Sequence, residues 1–139
     1  MRVVNVVDLM ALFPRQFHPH GMDEARFVEL FTANKPIVFA FHGYQRAIHE
    51  IVDGHADVDR FHVRGVNEQG TTTTSFDMVI MNAMSRYHLA AKALRPSARH
   101  QDRAPALIAE CEALIARAEA YSTEHLEDML EIREWTWPP

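Results

Sequence analysis

Apolar and polar positions alternate along this chain in a way that switches period several times. Arg2 to Val7 is a short β-branched run and predicts a strand. Asp8 to Phe13 has room for one helical turn. Phe17-His18-Pro19-His20-Gly21 reads as a loop, because its proline and glycine stop regular structure. Asp23 to Ala33 carries Phe27, Leu30 and Phe31 at helical spacing, with Asp23 and Glu24 suited to the N-terminal end of a helix. Ile37 to Phe41 is a continuous apolar run, as expected of a strand covered on both faces. His42-Gly43 turns into a short helix over Tyr44 to Val52, and Gly54 to Asp59 forms a polar loop. Phe61 to Val66 alternates again and predicts another strand.

The following segment is unusual. Gly65 and Gly70 bracket a polar turn, Thr71 to Thr74 are consecutive threonines, and a helical stripe begins at Phe76. The stripe comprises Phe76, Val79, Ile80, Ala83, Met84, Tyr87 and Ala91, which predicts one helix with a buried face. Thr74 stands three residues before Asp77, a capping-box-like pattern with Asp in place of Glu. Unpaired N–H groups at a helix N-terminus suit an anion, and Arg64 and the threonine hydroxyls would add donors. Capping alone explains the same residues without any ligand. After a polar break at Arg95 to Ala104, a last helix is expected over Pro105 to Ala120. Its stripe of Leu107, Ile108, Cys111, Leu114, Ile115 and Ala118 makes Cys111 a small core residue. Trp135 and Trp137 near the terminus are expected to dock on the domain or on a neighbouring surface.

Strand, helix, strand, helix, strand, helix is the order of an α/β fold: a mostly parallel sheet flanked by helices. The 139 residues suit a single domain over 1–139, and 47% hydrophobic with 24% charged residues is ordinary for a globular one. A net charge of −5 argues against a general nucleic-acid binder. No apolar run approaches the ~20 residues of a membrane span, and the N-terminus lacks a signal-peptide pattern. The single cysteine excludes an internal disulfide framework and fits a reducing cytoplasm.

Histidine is the place to look for chemistry, since there are nine. His18 and His20 form an H-x-H pair, but a zinc or iron site needs three or four converging ligands. His42 ends an apolar strand just before Gly43. Ligands gather at the carboxyl ends of strands in open α/β sheets, although a loop hydrogen bond would equally account for it. Nucleophile elbows, phosphate loops and dinucleotide fingerprints are missing, and Glu68 and Asp77 do not make a paired acid/base site.

Several segments, in order, resemble the C-terminal domain of phosphoketolase. They are Asn5 to Met10, His18 to Gly21, Lys35 to Tyr44, His62 to Gly65, Gly70 to Thr74, Phe76 to Met78, and Glu131 to Trp137. The resemblance covers nearly the whole chain, and the threonine run between H-V-R-G and F-D-M is its most specific part. It implies a transketolase C-terminal-domain-like three-layer sandwich. It also implies a larger enzyme, a cytoplasmic homodimer using thiamine diphosphate and magnesium. That enzyme cleaves xylulose 5-phosphate, or fructose 6-phosphate, with inorganic phosphate to acetyl phosphate and an aldose phosphate. This chain matches only the third of the family's domains, without the cofactor-binding motifs. It is therefore expected to be a fragment that holds no cofactor, metal or catalytic residue and is inactive alone. Its expected partners are the N-terminal and middle domains and the second subunit. His42, Arg64, Glu68, Gly70, Thr71, Thr72 and Thr73 are the candidate phosphate or interface contacts. The alternative function is a small-anion or nucleotide-phosphate-binding regulatory module built on Arg64 and the threonine loop.

Overall fold

A computed structural model describes residues 2–68, 70, 72–95 and 101–136. The fold is α/β, with two paired parallel strands and several helices. The chain divides after Val63 into two compact units.

The first unit is built on an aromatic core. A 3₁₀ turn, Leu9–Leu12, is capped by Asp8, whose carboxylate accepts the Met10 N–H. Helix α1 (Glu24–Phe31) is capped by Asp23 in the same manner, as the acidic residues at its start predict. Strand β1 is Ile37–Phe41, helix α2 is Gln45–Val52, and strand β2 is Phe61–Gly65. Phe27, Phe31, Phe39, Ile48, Ile51, Val52, Phe61 and Val63 close one cluster with Leu12. Phe27, fully buried, stacks face to face on His55 at 3.7 Å. The imidazole of His55 sits between Glu24 Oε2 and the Leu12 carbonyl, 2.9 Å from each, so this buried polar group is fully partnered.

Two expectations change here. Arg2 to Val7 is not a strand. Arg2 instead donates to the Glu29 and Leu30 carbonyls at 2.6 and 3.0 Å, satisfying acceptors that α1 leaves open at its end. Arg60 does the same for the Phe31 carbonyl at 2.9 Å. β1 has the expected limits but is not covered on both faces: Phe39 is buried and Ala40 exposed. Gly21 is fixed by a close approach. A Cβ there would lie 2.6 Å from the Phe13 carbonyl oxygen and 2.8 Å from that of Pro14, beside the bridge between Pro14 and Met22.

The second unit is helical. The predicted single helix is split into α3 (Ser75–Met81) and α4 (Arg86–Leu94). Ala83 takes a left-handed φ of 51°, and Ser85 starts a new helix by accepting the His88 N–H. Asn82 holds the break, donating to the Met78 carbonyl and accepting the Asn67 N–H. An apolar stripe does not register such a break, because polar capping competes with propensity locally. Helix α5 (Ala104–His125) runs one turn beyond expectation and packs against α4 and α3. Cys111 is only half-buried on it, not a core residue. A short α6 (Leu130–Arg133) follows, tied to α5 by Arg117 and Glu131. Among the described residues, no helix is long and apolar enough to cross a membrane.

Candidate functional site

The N-terminus of α3 is where the threonine run leads. Thr74 is the cap and accepts the Asp77 N–H at 3.2 Å. Thr73 donates to the Asp77 carboxylate, which therefore does not reach back in a true capping box. The charge complementing the helix end comes from a residue far along the chain. Asp128 accepts the Thr74 hydroxyl at 2.5 Å and the Phe76 N–H at 3.2 Å. A carboxylate at this place has the stabilising sign against the helix dipole. The helix end thus already carries an anion belonging to the chain.

The other candidates are dispersed. Thr72, Glu68 and Gly70 are exposed, and Gly70 has a left-handed φ of 71° with open space around it. Thr71 and Trp137 lie outside the described residues. His42 is exposed at the end of β1 in the first unit. His18 accepts the His20 N–H on Nδ1 and stacks on Phe13, while His20 lies 3.7 Å from Asp8. Among the described residues, no group of three or more His, Cys, Asp or Glu side chains could hold a metal ion. The donor set here does not fit a magnesium–diphosphate pair, which needs clustered carboxylate or carbonyl oxygens.

Of the candidates, Arg64 lines a cavity. A cleft of about 480 Å³ in the second unit is bounded by Arg64, two helix faces and Ala83. α4 contributes His88, Ala91, Lys92 and Arg95; α5 contributes Glu112, Ile115, Ala116 and Glu119. Each set follows i, i+3, i+4, i+7, so each is a single helical face. Arg95 pairs with Glu112 at 3.0 Å. Ser85, only 1% exposed, accepts the His88 N–H, and its hydroxyl is also hydrogen-bonded to His88 Nδ1 at 2.8 Å. That bond fixes the orientation of the ring. Burial holds the His88 imidazole below its ordinary 6.5; Glu119 pulls it upward and Arg64 presses it down.

A second cluster surrounds Arg86. Its guanidinium lies over Trp135 at 4.6 Å, Tyr87 at 4.8 Å and Phe76 at 5.3 Å, and donates to the Tyr87 hydroxyl. This docks Trp135 on the domain, as expected of the terminal tryptophans. Sequence reasoning missed Ser85, His88, Lys92, Arg95 and Asp128. The polar i, i+4, i+7 spacing of His88, Lys92 and Arg95 was the available signal; Asp128 had none.

The chain, an α/β protein, belongs to the XFP C-terminal domain family; the family match runs over residues 1–137, across both units. The chain is similar to a protein of Rhodopseudomonas palustris (strain BisB5) named "Probable phosphoketolase", at 48% identity over 137 residues. The match covers 99% of this chain and 18% of that protein. Equally named proteins of Bradyrhizobium diazoefficiens and Brucella abortus (strain 2308) are 46% and 45% identical, over 99% of this chain and 17% of theirs. The chain therefore spans less than a fifth of the length of these relatives.

Proposed function

We propose that this chain is the C-terminal structural and interface domain of a phosphoketolase. The observation that carries the reading is the family match along nearly the whole chain, at 45–48% identity to the corresponding sixth or so of proteins named phosphoketolase. The parent enzyme is a cytoplasmic homodimer. It cleaves xylulose 5-phosphate or fructose 6-phosphate with inorganic phosphate to acetyl phosphate and an aldose phosphate. Thiamine diphosphate and magnesium, held by the N-terminal and middle domains, supply the carbon–carbon bond chemistry when bound. The residues of this domain carry no chemical step. They present surface to the other domains and to the second subunit. Exposed Val3, Val7, Phe17 and Tyr44 in the first unit, and Leu126, Leu130 and Trp135 in the second, support that role.

The test is acetyl phosphate formation from xylulose 5-phosphate, with phosphate, magnesium and thiamine diphosphate supplied. The chain alone should be silent, and mixing it with the two remaining domains should restore activity. Turnover by the chain alone, or silence after mixing with folded partners, would each overturn the proposal.

A further inference from the structure

The cleft between α4 and α5 has a composition that an internal structural role does not require. The second unit has eight basic and eleven acidic residues, yet three of its basic residues line this one cavity. Only Arg95 is matched, by Glu112. Arg64 and Lys92 form no ion pair among the described residues, and Glu119 leaves the cavity walls one positive charge in excess. The rest of the lining is small and apolar: Ala83, Ala91, Ile115 and Ala116. His88 adds an imidazole whose Nδ1 side is held by Ser85. Cations without an ion-pair partner beside an apolar floor, in a volume of this size, suit an anionic occupant of metabolite size. An arginine from β2 and a lysine from α4 supply the donors that a phosphate or carboxylate takes.

We propose that this cleft binds a small oxyanion metabolite, phosphate ester or carboxylate, held by Arg64 and Lys92 with His88 beside them. The site is distinct from the threonine-capped end of α3, where Asp128 already supplies the negative charge. It does not depend on the activity of the parent enzyme.

Calorimetric titration of the 139-residue chain with inorganic phosphate, and separately with succinate, tests it against a matched sodium chloride control. At least one of the two should saturate a single site, and the one that does identifies the oxyanion class. Arg64→Gln and Lys92→Gln should each weaken binding about ten-fold or more, as expected for a lost charge-assisted hydrogen bond. Lys92→Arg keeps the charge and should retain binding. Arg133→Gln, which lies outside the cleft beside Glu127, should change nothing. The His88 ring resonances should move with the same saturation curve. Absence of saturation with both anions overturns the proposal, as does saturable binding that survives Lys92→Gln or falls equally with Arg133→Gln.

Discussion

His88 shows how one side chain reports on its surroundings. Its imidazole is held by the buried Ser85 hydroxyl, and its proton affinity is lowered chiefly by burial. A lowered value in the folded state means that the unfolded chain binds the proton more tightly. The contribution of His88 to stability is then complete above 6.5 and is lost as the pH falls from there through the folded value. The melting temperature should drop on acidification below pH 6.5, and His88→Asn should make that drop shallower. Asn retains an acceptor for Ser85 and cannot take up the proton. Parallel acid profiles for the two proteins would remove His88 from the account. Gly21 is constrained differently: carbonyl oxygens of Phe13, Pro14 and His18, all within 2.9 Å of a would-be Cβ, leave no space for any other residue. A glycine in a histidine-rich loop is visible in the sequence, but the carbonyls that exclude a side chain are not.

Among the elements, α3 depends most on a distant residue. Seven residues make a helix too short to be stable by propensity. Its first turn is secured by Thr74 from within and by Asp128 from beyond the end of α5. Asp128→Ala should cost about 1–3 kcal/mol, the range for leaving partly buried donors without their acceptor. Asp128→Asn, which still offers one oxygen, should cost less. Urea unfolding measures both, and a change below about 0.5 kcal/mol for Asp128→Ala would place the residue among indifferent surface positions. The limits of β1 and the caps of α1 and α3 were legible, because apolar runs and Asp or Thr before a stripe act over a few residues. The break between α3 and α4 was not, because Ala83 and Met84 continue the stripe while Ser85 and Asn82 end the helix.

For the molecule as a whole, the informative feature is the apolar surface left uncovered. Val7 is 91% and Leu126 84% exposed, one in each unit. Such side chains are ordinary singly but costly in number on a surface that stays in water. Sedimentation should show the isolated chain in species larger than one copy, and Phe17→Ser combined with Leu126→Ser should shift it toward the single chain. A strictly single-copy protein with no affinity for an apolar dye would speak against an interface role. Among the described residues, the apolar core is concentrated in the first unit; the second buries mainly Val66, Ile80 and three alanines, with Ser85 and Ser122. Composition averaged over 139 residues conceals that difference.

The sequence by itself determined the α/β class, the strands at Ile37 and Phe61, the threonine cap and the family, because hydrophobic period, capping chemistry and residue order act locally or are carried in the chain itself. Tertiary structure alone decided that Arg2 and Arg60 close the end of α1 and that Asp128 takes the anion position on α3. It also decided that Arg64 belongs with Lys92 and His88 rather than with the threonines. The hydrogen-bonded partners lie 27 to 54 residues apart, and the cleft residues meet from separate elements. A charge has no partner in the sequence until the chain folds, since electrostatic contacts are set by distance in space and not by distance along the chain.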